Sequence, residues 1–174
     1  MSSSAVRRPH RSEYAEYYGR YVDLVPDGDI VDVLRDQLED SLRLLGAVPP
    51  EKADYRYAPG KWTVKEVLRH VIDIEWVFTY RGLRFARGDD TALPGVEQDA
   101  LVAGTDFTSL SLRDFIEEFR HLRTANTLLF GGWDKAVLDR SGVASGCRFT
   151  ARSIPYIVAG HERHHMTVLR ERYL

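Results

Sequence analysis

Apolar residues recur at three- and four-residue steps in four stretches of the chain, and each stretch reads as an amphipathic helix. The first runs from about Asp29 to Ala47, with Ile30, Leu34, Gln37/Leu38, Ser41 and Leu45 on one stripe, and Pro49-Pro50 stops it. The second opens at Thr63-Val64-Lys65-Glu66, a capping-box pattern, and runs to about Arg87 before Gly88. The third opens at Ser111, carries Leu112, Phe115, Phe119, Leu122, Asn126 and Leu129, and ends at Gly131-Gly132. The last begins near Ser153, with Pro155 in its first turn, and continues to the C-terminus.

Before these lies a short aromatic segment, Ser12 to Leu24, with Tyr14, Tyr17, Tyr18 and Tyr21 at helical spacing. Residues 1–11 are Ser- and Arg-rich and are expected to be flexible. Residues 89–110 form a loop long enough for a crossover. No stretch alternates as a strand would. The expected fold is an all-α antiparallel four-helix bundle with a short N-terminal helical segment, one domain over residues 12–174.

Composition adds exclusions. The chain has 174 residues, 44% hydrophobic and 29% charged, with a net charge of −2. That balance is globular and lacks the basic excess of a non-specific nucleic-acid binder. A single cysteine, Cys147, allows no internal disulfide and no Cys-rich zinc module. No apolar run is long enough for a membrane span, and no signal peptide is evident, so the cytoplasm is the expected location.

Polar residues inside the stripes are the informative ones. At 100° per residue, Ile154, Ile157, His165 and Val168 lie within about 40° of His161, while His164 falls on the flank. On the second helix, Val67, Ile74, Val77 and Phe85 lie within about 60° of His70. Read conservatively, these are core histidines satisfied by hydrogen bonds. Read chemically, three imidazoles on facing helices are a sufficient set for one divalent ion, Zn, Ni, Fe or Mn. Three protein ligands leave positions for water or substrate, as in catalytic sites.

Other readings compete. His161-Glu162-Arg163-His164-His165 also matches the zincin protease signature, with Glu162 as general base. Against it, only Met166 to Leu174 follow, with Glu171 as the one carboxylate. Glu66, Asp73, Arg81 and Arg84 share the inner side of the second helix. Asp73 or Glu66 would hold a ligand imidazole by its other N–H, or would pair with Arg81 and Arg84. Glu66, Asp73 and Glu162 are the candidate acid/base residues, unranked. The second helix is also apolar on its far side, at Leu68, Ile72, Trp76 and Leu83. A second chain or a neighbouring segment, with Tyr14–Tyr21 as the candidate, must cover that side, and a homodimer is expected.

The stretch Tyr57-Ala58-Pro59-Gly60-Lys61-Trp62-Thr63-Val64-Lys65-Glu66-Val67-Leu68-Arg69-His70, its continuation through Asp73 and Glu75 to Asp89, and the closing Ala159-Gly160-His161-Glu162-Arg163-His164-His165 resemble the DinB-like (DinB/YfiT-like) family. The resemblance extends from about Tyr14 to Leu174. It implies a four-helix bundle, often dimeric, that holds one divalent metal through His70, His161 and His165. It also implies a metal-dependent enzyme acting on a small molecule, such as a hydrolase or a transferase using a low-molecular-weight thiol. A non-catalytic metal-binding or interaction bundle is the alternative.

Overall fold

The computed structural model describes residues 6–104, 106–107 and 109–174. Its helices are α1 (Gly19–Val22), α2 (Ile30–Gly46), α3 (Val64–Ala86), α4 (Gln98–Ala103), α5 (Leu112–Gly131), α6 (Lys135–Leu138) and α7 (Ser153–Arg172). The four long ones, α2, α3, α5 and α7, form a four-helix bundle. Their starts follow local chemistry. Thr63 caps α3 and Glu66 returns to the Thr63 amide, while Ser111 and Asp114 do the same for α5. Gly88 takes a positive φ of 76° just past α3, where a side chain would be strained.

Packing sets the order. The neighbours of α2 are α5 and α7, and those of α3 are also α5 and α7. The pairs α2/α3 and α5/α7 therefore sit across the two diagonals, while α3 and α5 are neighbours. At one end Ile30, Phe78, Phe130 and Ile157 share a core cluster. At the other Leu45, Val67, Phe119 and Leu169 share a second. The chain thus runs up in α2, down in α3 and α5, and up in α7. The pairs α3–α7 and α2–α5 are antiparallel, and two neighbouring pairs are parallel. The return from α3 to the start of α5 is the crossover that the long loop permits. It carries α4.

Two features depart from the sequence expectation. A two-stranded antiparallel hairpin lies between α6 and α7, β1 (Ser141–Ala144) with β2 (Cys147–Thr150). Strands of four residues are too short to show alternation. Its turn residues, Ser145 and Gly146, both have positive φ, the tight hairpin geometry. Leu93 of the crossover bridges to Ala144, which pins the loop to the hairpin. Secondly, Leu68 and Ile72 are fully buried in the cluster that holds Phe115 and Leu122 of α5, so α5 covers them, not the tyrosine segment. Of Leu68, Ile72, Trp76 and Leu83, Trp76 stays half exposed, at 53%.

The tyrosine segment packs on α7 instead. Gly160 makes this possible, because a Cβ there would collide with the carbonyl of Tyr21. Within 6–11, Arg8 donates to the carbonyls of Val22 and Val25; residues 1–5 lie outside the described residues.

The bundle centre is charged. Arg123 is fully buried and donates to Glu75 of α3 and Glu162 of α7. Glu162 also accepts from Gln37 and from Ser41, the latter at 2.6 Å, and Glu75 from Asn126 at 3.0 Å. All four long helices contribute to this network. No helix among the described residues is long and apolar enough to cross a membrane.

Candidate metal centre

His70 projects from the second turn of α3, and His161 and His165 from successive turns of the antiparallel α7. Helical spacing of four residues places the latter two one above the other, about 6 Å apart in rise. The fold then brings α3 alongside. The Nε2 atoms of His70 and His161 are 3.0 Å apart. One ligand nitrogen from each of the three rings falls within 4.8 Å of the others. The ring centroids are 4.5 to 4.9 Å apart.

These rings fit a divalent ion. Nitrogen ligands bind zinc at about 2.0–2.1 Å, so two on one ion stand about 3 Å apart. Metal ligation also needs the neutral imidazole. Burial lowers the pKa of His70 to about 4, with Asp99 opposing and His164 adding to the shift. Burial likewise brings His165 to about 3, helped by His70 and His164. His161 lies well below the ordinary value, through burial and then its neighbouring histidines. Three neutral rings with converging nitrogens are a donor set ready for a dication.

Aromatic rings fix the imidazoles. Trp62 lies 4.8 Å from His70, and Tyr21 meets His161 edge-on at 5.3 Å. His161 also lines a cavity of about 270 Å³ that opens at the exposed residues Tyr17, Glu97 and Asp99. His164 is exposed, beside Tyr21 and His165.

The candidate acid/base residues stand in other company. Glu66 closes the α3 cap and pairs with Arg56. Asp73 pairs with Arg69. Glu162 belongs to the Arg123 network. No hydrogen bond joins any of the three to a histidine ring among the described residues. The arginines expected to pair with Asp73 and Glu66 find other partners, since Arg84 meets Asp89 and Arg81 meets the Pro94 carbonyl and Ser145. Sequence reasoning passed over Arg123, although it lies between Phe119 and Asn126 on the same stripe. It also passed over Glu75.

A family model described as the DinB superfamily matches residues 34–169. The chain belongs to the DinB superfamily. Both halves of the histidine cluster fall inside the matched span. Among solved structures, this DinB-superfamily fold is similar to YfiT from Bacillus subtilis, described as "a probable metal-dependent hydrolase with an unusual four-helix bundle topology". The TM-score is 0.69 at 15% identity, over 95% of this chain and 90% of that one. Among curated proteins, none matches.

Proposed function

We propose that this DinB-superfamily protein is a metal-dependent enzyme acting on a small molecule, with His70, His161 and His165 holding one divalent ion. The observation that carries the reading is the convergence of three ligand nitrogens within 4.8 Å beside an open cavity. A closed site with four ligands would favour a purely structural ion. Three ligands and a solvent path favour catalysis. Zn, Ni, Fe and Mn all suit imidazole donors to differing degrees. When bound, such an ion acts as a Lewis acid and lowers the pKa of a coordinated water or thiol.

The protein's own residues supply the rest. Trp62 and Tyr21 hold two of the rings in place. The cavity wall of Ile74, Val77, Phe78 and the tyrosines shields a bound molecule from water. The partners of Glu66, Asp73 and Glu162, a helix cap and arginines, support a structural role for these carboxylates. The reaction is either hydrolysis or transfer of a low-molecular-weight thiol. We also propose a cytoplasmic homodimer, on the half-exposed Trp76 and Tyr80 one turn apart on α3.

The test is elemental analysis of protein purified without an affinity tag, followed by thiol-transfer and hydrolysis assays on a panel of electrophiles and esters. Turnover that disappears in His161→Ala supports the enzyme. Bound metal with no turnover on either panel returns the weight to a non-catalytic bundle.

A further inference from the structure

Among the described residues, five Lys and Arg side chains are buried: Lys65, Arg69, Arg81, Arg123 and Arg152. Four of them face carboxylates. Lys65 pairs with Asp54, Arg69 with Asp73 and Glu118, Arg123 with Glu75 and Glu162, and Arg152 with Glu13 and Asp139. Arg81 has no carboxylate within 4.0 Å among the described residues, although it is only 4% exposed. The residues outside that description, 1–5, 105 and 108, include no Asp or Glu.

What Arg81 does touch is neutral. Its Nη2 donates to the Pro94 carbonyl and to the Ser145 hydroxyl, both at 3.1 Å. Its guanidinium stands 5.3 Å from the Phe78 ring. Burial pulls its pKa down while the Tyr18 hydroxyl opposes this, yet a guanidinium stays protonated in proteins. An uncompensated buried cation is costly, and a structural arginine is normally paired.

Its location gives the charge a use. Arg81 lines the same cavity as His161, and Ile74, Val77 and Phe78 of α3 line it too. Phe78 is three residues N-terminal, so the guanidinium leans back along α3 towards His70. Eleven residues separate His70 and Arg81, about 16 Å of helix, and the arginine side chain covers part of it. Glu97 and Asp99 also line the cavity and are exposed. They would repel a dianion such as a phosphate more than a monoanion.

We propose that Arg81 anchors a carboxylate on the substrate, whose apolar body lies along Ile74, Val77 and Phe78 and whose reacting end meets the histidines. This names the substrate class of the site described above and rests on that reading.

The probes are 3-phenylpropionate, 3-phenylpropionamide and 2-phenylethylphosphonate, titrated calorimetrically into the full chain, as purified and after chelation. A charged hydrogen-bonded contact predicts about tenfold tighter binding of the acid than of the amide in both forms. The phosphonate should bind less tightly than the acid. Arg81→Gln should bind acid and amide alike, and Arg81→Lys should keep most of the preference. Equal binding of acid and amide to the native chain, no binding of either, or a preference that survives in Arg81→Gln overturns the proposal. A phosphonate that binds tighter than the acid overturns the choice of carboxylate. If Arg81→Gln does not fold, the Arg81 Nε–H resonance decides: it should move with the acid and not with the amide. Metal content is read separately. A missing acid preference with metal bound defeats only the anchor, and an acid preference in protein that carries no metal as purified defeats only the metal site.

Discussion

The Nε2 atoms of His70 and His161 lie 3.0 Å apart, although 91 residues separate them in the chain. The packing of α3 against α7 brings them together, and it does so where both rings are buried. Two neutral bases held this close make the cluster sensitive to protons.

That sensitivity has a definite sign. In the unfolded chain the histidines titrate near pH 6.5, whereas His70 and His165 remain neutral when folded down to about 4 and 3. Between those limits the unfolded state binds more protons, so stability rises with pH. The metal-free protein should be fully stabilised above pH 6.5 and lose stability as pH falls towards 4. Denaturation midpoints at pH 7, 6, 5 and 4 check this. A midpoint unchanged over that range would show that the rings are not buried as neutral bases.

The site was legible in the sequence to the extent that helical period could reveal it. His161 and His165 sat on an apolar stripe, His70 on another, and the six buried residues of α2 coincide with its expected stripe. What the period could not show was the third dimension. Ser153 to Glu162 is buried on every side, because α1, α2 and α3 all pack against it, so no single stripe describes it. Glu162 therefore lies in the core although it is rotated away from His161. The partners of Arg81 come from the crossover and the hairpin, both set by long-range pairing. The Ser145-Gly146 turn was the available hairpin signal, but the strands it joins were too short to support it.

Arg123→Met should strongly destabilise the bundle. It leaves Glu75 and Glu162 buried without their cation, a loss of about 3–5 kcal/mol. Urea unfolding measures it. A loss below about 1 kcal/mol would mean that the network adds little to holding the four helices together.

Gly160→Ala tests how Tyr21 reaches His161. The new methyl meets the Tyr21 carbonyl, which is backbone and cannot rotate away. The cost should be about 1–3 kcal/mol, and the His161 ring resonances should lose the edge-on shift from Tyr21. An unchanged spectrum and melting temperature would show that α1 does not bear on the site.

Trp76→Glu tests the dimer. Sedimentation at tens of micromolar should give a dimer for the native chain and a monomer for the variant, each equally helical. A monomeric native chain would remove the proposed interface.

The central claim is that three particular rings bind one ion. Elemental analysis of tag-free protein tests it most directly. About one divalent ion per chain is expected in the native protein and in His164→Ala, and essentially none in His70→Ala, His161→Ala or His165→Ala. Full metal content in His70→Ala would contradict the account.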